Sequence, residues 1–142
     1  MRRIVIDTNV LIRAFLKNSG NDYSVYRQFL DGHIELYYSQ ELVDEFMEVI
    51  SRPRLAQKYS LSNKDIRLFW EDIFEFGNFR KPKQVDICRD SRDNHIIGLA
   101  LAVAEGAIVH LVTADDDLLV LKNRMKDVMI QTAKEFMTSK FL

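Results

Sequence analysis

The sequence predicts an α/β fold in which helices cover both faces of a parallel sheet. Strand-like and helix-like segments alternate along the whole chain, which is the pattern of repeated β–α units. Residues 4–6 form a β-branched run without polar alternation, as expected for a strand that is buried on both faces. The chain is 142 residues long and 47% apolar, which suits one continuous core. We therefore expect a single domain over residues 1–142.

The individual elements follow from apolar runs, helical periodicity and turn-forming residues. Pro53 and Gly106 are the stop signals for two of the helices. Strands are predicted at short apolar runs, in residues 4–6, 34–38, 85–88, 107–112 and 128–131. Helices are predicted where apolar positions recur at helical spacing or capping residues occur, in residues 10–16, 23–30, 39–51, 62–77, 93–105, 113–117 and from 132 onward.

Composition excludes several classes of function. The net charge is −1, from 20 basic and 21 acidic residues, so nucleic-acid binding must rely on local patches. The one cysteine, Cys88, cannot form an intramolecular disulfide or a thiolate metal cluster, which fits a reducing compartment. No run approaches the roughly 18 apolar residues of a membrane span, and the apolar run before Asp7 is too short for a signal peptide. We expect a cytoplasmic protein without a membrane partner.

Acidic residues follow two of the predicted strands, at the sheet end where ligands bind in open parallel sheets. Asp7 ends the first strand, and Asn9 two residues later can hold it by hydrogen bonding. Residues 115–117 are consecutive aspartates after a buried strand, and a bound cation or full solvation relieves their repulsion. A helix cap is at least as ordinary a role for Asp7, and solvation is a common fate for such a cluster.

Further acids precede or lie on predicted helices. Asp93 stands directly before an apolar helix, where it can cap that helix, ligate a metal ion, or do both. Oxygen-only clusters suit hard cations such as Mg²⁺ or Mn²⁺, and the sequence offers no cysteine or histidine set for zinc. On the helix after Ser39, apolar periodicity leaves four acids outside the buried face and does not choose among them: Glu41, Asp44, Glu45 and Glu48.

Four segments of the chain carry a common pattern: Ile4-Val-Ile-Asp-Thr-Asn-Val10, Glu41-Leu-Val-Asp-Glu-Phe46, Arg92-Asp-Asn94 and Leu111-Val-Thr-Ala-Asp-Asp-Asp-Leu-Leu119. Together these segments resemble the PIN-domain family, and specifically the PIN-family toxin components of toxin–antitoxin systems. They occur in the family's order across nearly the whole chain. The resemblance implies a PIN-like three-layer α/β/α sandwich around a mainly parallel, twisted sheet of about five strands.

The resemblance also implies which side chains form the site. Direct metal ligation is expected for Asp7 and Asp115, and direct or water-mediated ligation for Asp93. Glu45 is expected to be a ligand or the base for the attacking water, with Asp117 in a helping role. The family's four acids thus fall on Asp7, Glu45, Asp93 and Asp115, and its usual additional acid on Asp117.

Other positions around these acids agree with the family only in part. Asn9 and Thr113 match its supporting polar residues. Ala114 stands where close relatives often have glycine, and Ser91 where a proline is common before the third acid. Both departures keep every carboxylate, but they can alter how the loops pack around the metal ion.

The function implied by the resemblance is a Mg²⁺- or Mn²⁺-dependent ribonuclease that hydrolyses RNA as the toxin of a toxin–antitoxin pair. A cognate antitoxin protein and a homodimer are the implied partners. His95 lies near Asp93, where a structural hydrogen bond is favoured over contact with a phosphate or a proton transfer. Basic residues should flank an acidic site to hold RNA phosphates. The candidates are Arg13, Lys17, Arg52, Arg54, Arg80, Lys81, Lys83, Arg89 and Arg92.

Two alternative functions remain open and a third is disfavoured. The fold can serve as a non-catalytic PIN-like module that binds RNA or protein, or as an RNA-processing nuclease outside a toxin–antitoxin system. A phosphotransfer receiver-like domain also has an acidic pocket on a parallel sheet. It would need a phospho-accepting aspartate at the end of a middle strand, and the strand at residues 34–38 ends in Tyr38-Ser39 instead.

Overall fold

A fully parallel five-stranded sheet forms the centre of the computed structural model, which describes residues 1–139. The strands lie in the spatial order β3-β2-β1-β4-β5, and every neighbouring pair is parallel. The prediction of a mainly parallel sheet of about five strands is confirmed. The strands are β1 (Arg2–Ile6), β2 (Ile34–Tyr38), β3 (Asn78–Phe79), β4 (Val109–Val112) and β5 (Val128–Gln131).

Helices cover both faces of this sheet, which confirms the predicted α/β/α layering. The connections from β1 to β2 and from β3 to β4 cross the sheet in opposite directions. Right-handed crossovers therefore place their helices on opposite faces. The helices of residues 1–139 are α1 (Thr8–Leu16), α2 (Gly20–Leu30), α3 (Gln40–Ile50), α4 (Pro53–Tyr59), α5 (Asn63–Phe76), α6 (Asn94–Val103), α7 (Asp116–Leu119) and α8 (Ala133–Thr138), with a 3₁₀ turn at Ser91–Asp93.

The predicted strand at residues 85–88 is wrong. The edge strand is instead β3, which pairs with the end of β2 through Tyr38 and Phe79. In the predicted segment, backbone N–H groups donate to a side chain and not to a neighbouring strand. The N–H groups of Ile87 and Cys88 both donate to the side-chain oxygen of Asn94, at 3.2 and 3.0 Å. An apolar run without a strand partner for its N–H groups cannot join the sheet.

A second difference concerns Pro53, which was expected only to stop α3. It also begins α4, a helix that the sequence pattern did not predict. Proline is favoured at the first position of a helix because its missing N–H would have no intrahelical partner there and its φ is already suitable. The proline therefore separates two helices rather than a helix and a loop.

The sheet places the ends of β1 and β4 side by side. Ile6 aligns with Val112 across the two strands, so the residues that follow them, Asp7 and Thr113, leave the sheet together. The chain runs outward from β1 to β2 and β3, and from β4 to β5 on the other side. Such a reversal of strand order opens a crevice at the carboxyl ends of the strands. The first and last predicted acids are thereby brought to one place.

The hydrophobic core lies on both faces of β1. Ile4, Val5 and Ile6 are all buried, although successive side chains of a strand point to opposite faces. Phe46 and Trp70 bring α3 and α5 into the same core, with their rings 5.1 Å apart. Within residues 1–139, no helix is long and apolar enough to cross a lipid bilayer.

Gly98 allows an extended segment to lie directly on α6. The Lys83 backbone N–H donates to the Gly98 carbonyl at 3.0 Å. A Cβ atom at position 98 would lie only 2.1 Å from the Lys83 carbonyl oxygen, a backbone atom that cannot move alone. The contact therefore requires glycine, and it fixes the approach to the residues just before the 3₁₀ turn.

Replacing Gly98 by alanine should lower the free energy of unfolding by about 1–3 kcal/mol, because the added methyl group overlaps a backbone carbonyl. Helix propensity alone predicts the opposite, namely that alanine raises the free energy of unfolding by about 1 kcal/mol. Urea denaturation followed by circular dichroism measures the difference. Ala102→Ser, on the same helix, is the control and should cost about 0.5 kcal/mol. A Gly98→Ala protein that is more stable than the wild type would contradict the close approach.

Candidate metal-binding site

Asp7 is the buried anchor of the candidate site. It directly follows β1, and only 4% of its surface is exposed. Its Oδ1 accepts a hydrogen bond from the Thr8 backbone N–H (2.8 Å), and its Oδ2 accepts one from the Thr113 hydroxyl (2.7 Å). Burial raises the pKa of Asp7, and these two hydrogen bonds partly oppose that rise. Capping of α1 and a place in the acidic site are combined in one side chain.

Thr113 joins the ends of two neighbouring strands. It is buried directly after β4, and besides donating to Asp7 its hydroxyl accepts the Asp115 backbone N–H at 3.0 Å. Asp115 in turn caps α7, because its Oδ1 accepts the Asp117 backbone N–H at 2.9 Å. One hydroxyl thus holds the acid after β1 and the acidic turn after β4 in a fixed relation.

Glu45 differs from the other acids of α3 in its surroundings. Its side chain is 34% exposed, and its Oε2 lies 3.2 Å from His95 Nε2 on α6. An ionised carboxylate only accepts hydrogen bonds, so Nε2–H is the donor. This hydrogen bond is the main reason that the pKa of Glu45 is lowered. The remaining acids of α3 are exposed residues: Glu41, Asp44 and Glu48.

Asp90, Asp93 and Asp117 form an acidic cluster, a group of three carboxylates that could hold a metal ion. One oxygen of each lies within 4.8 Å of the other two, a spacing at which all three can hold one metal ion. Asp93 Oδ2 is buried and has no hydrogen-bond partner within residues 1–139. Leaving such an oxygen without a partner is costly. Asp93 and Asp117 were predicted site residues, whereas Asp90 was not.

Asp90 escaped the sequence argument because it also has an ordinary local role. Its Oδ1 accepts the Arg92 backbone N–H at 3.0 Å and so caps the 3₁₀ turn. Its spacing is the signal that could have found it. Asp90 precedes Asp93 by three residues, and residues three apart lie on the same side of a 3₁₀ turn.

The acids from these different elements act on one another electrostatically. Burial raises the pKa of Asp93 to about 7, with smaller upward contributions from the charges of Asp115 and Asp7. The charges of Glu45 and Asp115 also raise the pKa of Asp7. Electrostatic repulsion therefore connects carboxylates from four places: the ends of β1 and β4, helix α3 and the 3₁₀ turn. The all-oxygen donor set, with one oxygen lacking a partner, fits Mg²⁺ or Mn²⁺.

Two positions flanking the acids differ from expectation or from the family pattern. Asn9 is exposed in the first turn of α1 and does not form the hydrogen bond to Asp7 expected from the sequence. The Asp7 oxygens are instead occupied by Thr8 and Thr113. Ala114, where the resemblance led us to expect glycine, does not have a positive φ, so the backbone does not require glycine there.

Among the basic candidates, Arg89 and Arg92 lie against the acidic cluster. Arg89 pairs with Asp117, and Arg92 pairs with Asp90. Several other candidates are engaged away from it, in the contacts Arg13–Asp22, Arg52–Glu48 and Lys83–Glu105 and by stacking of Arg80 on Tyr37.

Comparisons with known proteins give one family match and two solved structures with the same fold. The PIN-domain profile matches residues 3–117. The uncharacterised protein MJ1680 of Methanocaldococcus jannaschii is 26% identical over 141 residues, which cover 94% of this chain and 88% of that protein. VapBC2 from Rickettsia felis, bound to a DNA fragment from its promoter, shares the fold with a TM-score of 0.58 and 14% identity, over 92% of this chain and 98% of that one. FitAcB from Neisseria gonorrhoeae shares the fold with a TM-score of 0.51 and 14% identity, and the same shares of the two chains are covered.

Replacing Thr113 by valine should lower the free energy of unfolding by about 1–3 kcal/mol, because a buried carboxylate and a backbone N–H lose their shared partner. Thr113→Ser keeps the hydroxyl and is the matched control, expected to retain most of that stability. Urea denaturation of both variants measures the difference. Unchanged stability in Thr113→Val, together with a loss in Thr113→Ser, would show that the methyl group, and not the hydroxyl, is what matters.

In the absence of divalent cations, the wild type should lose stability relative to Asp93→Asn as the pH rises from about 4 to 7. The pKa of Asp93 is raised from 3.8 to about 7, so the folded protein keeps a proton that the unfolded chain has already lost. Stability therefore falls with rising pH across this window. Thermal unfolding in EDTA at several pH values tests this, and a constant or opposite difference between the two proteins would contradict it.

Proposed function

The chain belongs to the PIN-domain family, and from that premise we propose that it is a divalent-cation-dependent ribonuclease acting as the toxin of a toxin–antitoxin pair. The observation that carries the proposal is the acidic cluster, in which a buried Asp93 oxygen lacks a partner while two further carboxylates lie within 4.8 Å. A structural role alone does not explain why so many anions are held together. A cation-binding site does.

Mg²⁺ or Mn²⁺ would be held chiefly by Asp93 and Asp117, with Asp90 as a third ligand that the sequence did not suggest. Asp7 and Asp115 remain proposed ligands, since their charges act directly on Asp93. Asp7 keeps free lone pairs, because each of its oxygens accepts only one hydrogen bond. Whether one or two ions bind, the proposed ligands are oxygens from three separate parts of the chain: the end of β1, the 3₁₀ turn and the start of α7.

A cation bound there supplies an activated water and charge stabilisation for phosphodiester hydrolysis. Glu45 is suited to orient that water or accept its proton, because the hydrogen bond from His95 holds its carboxylate toward α6. Thr113 orients Asp7, and Asp115 positions the start of α7, which carries Asp117. The protein's part in the reaction is mainly to fix these groups in place.

RNA as substrate, a cognate antitoxin, a homodimer and a cytoplasmic location are parts of the proposal that derive from the family resemblance. The fold shared with VapBC2 and FitAcB supports the toxin assignment. Exposed apolar side chains support a protein partner. Met47 on α3 and Phe74 on α5 are 41% and 53% exposed beside a groove of about 480 Å³ that Trp70 also lines. Grouped apolar surface of this kind is typical of protein contacts.

Purified protein should cleave mixed RNAs when Mg²⁺ or Mn²⁺ is present and lose this activity in EDTA. Asp7→Asn keeps the shape of the side chain but removes its charge, and it should reduce the rate on the order of 10²-fold or more. Gel analysis of the RNA, with matched protein concentrations, measures both effects. Cleavage that persists in EDTA and in Asp7→Asn would rule out this site.

A matched pair on α3 sharpens the test. Glu45→Gln should reduce cleavage strongly, whereas Glu48→Gln should leave it near the wild-type rate, because Glu48 is exposed and pairs with Arg52. Equal effects of the two substitutions would show that the charge of α3, and not the position of Glu45, is required. Thermal unfolding of each variant confirms that loss of activity does not reflect loss of folding.

A further inference from the structure

Two arginines already neutralise two members of the acidic cluster. Arg92 donates hydrogen bonds to both carboxylate oxygens of Asp90, with Nη2 2.8 Å from Oδ2 and Nε 3.1 Å from Oδ1. Arg89 Nη2 lies 2.8 Å from Asp117 Oδ1. Both arginines belong to the same short segment as Asp90 and Asp93. Each guanidinium therefore binds a carboxylate that a cation in this cluster would also use.

Both ion pairs are weak because they are exposed to solvent. The side chains of Arg89 and Arg92 are 61% and 85% exposed, so water and salt screen both pairs. A divalent cation that binds several carboxylates at once competes well against two separate, solvent-exposed guanidinium contacts. Since both arginines have long side chains with free space around them, release from the acids requires no change in the backbone.

Asp93, the third member of the cluster, lacks such a partner. Its buried Oδ2 makes no hydrogen bond within residues 1–139. The arginines thus balance the outer, exposed acids and leave the inner acid uncompensated. This division places the strongest site for a cation beside Asp93, with the two guanidinium groups around its rim.

We propose, on the basis of the proposed function, that binding of a divalent cation displaces Arg89 and Arg92 from Asp117 and Asp90, and that the released guanidinium groups then bind the phosphates of the substrate. Guanidinium matches phosphate oxygens with paired N–H donors, as it matches carboxylate oxygens. The same two residues serve as counter-ions before the cation binds and as substrate ligands afterward.

This exchange predicts opposite effects on two measurable affinities. Without the arginines, a cation meets free carboxylates and should bind more tightly. RNA loses two phosphate contacts and should bind more weakly. A purely structural role for the arginines would weaken both affinities or neither, so the opposite signs distinguish the two explanations.

The test compares Arg89→Gln, Arg92→Gln and the double variant with wild-type protein. Mn²⁺ binding, measured by electron paramagnetic resonance without RNA, should become about two- to fivefold tighter for each single variant. The KM for single-stranded RNA should rise about tenfold, with kcat nearly unchanged. Arg92→Lys keeps the charge but not the paired donors, and its KM should be intermediate.

Arg27→Gln is the control, because Arg27 forms a comparable exposed pair with Asp31 on α2. It should change neither affinity. Wild-type protein that binds no Mn²⁺ would overturn the proposed function itself. If the wild type binds Mn²⁺ and cleaves RNA, unchanged or weaker Mn²⁺ binding in the variants would overturn the displacement. An unchanged KM in the double variant would overturn the phosphate contact.

Discussion

The arrangement of the site depends on the two hydrogen bonds made by the hydroxyl of Thr113. It donates to Asp7 and accepts from the backbone of Asp115, so it connects the residues that follow two adjacent strands. The pairing of β1 with β4 brings these residues to the same height, but pairing alone does not orient their side chains. The hydroxyl does so, and the acids of α3, the 3₁₀ turn and the start of α7 are arranged around this connection.

Crowding of carboxylates has a cost that the fold offsets locally. The hydrogen bonds to Asp7, the His95 contact with Glu45 and the arginine pairs of Asp90 and Asp117 each reduce the repulsion at one acid. Asp93 receives no comparable help, and burial, together with the charges of neighbouring acids, raises its pKa. A site that remains incompletely neutralised while the rest of the molecule is well packed is typical of a functional centre.

The sequence predicted the sheet and the acids at strand ends because both depend on local patterns. A β-branched run marks β1, and the polar residues that end it must lie at the sheet edge. Glu45 could not be chosen from periodicity, since three other acids of α3 satisfy the same pattern; the choice needed the family resemblance or the contact with His95. Asp90 is marked only by its spacing of three residues from Asp93. The position of β3, by contrast, depends on which backbone groups meet across the fold. Asn94, which takes up the donors of residues 87 and 88, decides this, and no local pattern reveals it.

The shortness of β3 limits how this molecule can assemble. The strand has two residues, and its chain then turns toward α6, with Pro82 unable to donate a backbone hydrogen bond. An outer strand this brief provides almost no ladder onto which another chain could add. At this edge of the sheet, a second polypeptide could therefore add few backbone hydrogen bonds, and contact with it would rest on side chains of the surrounding helices.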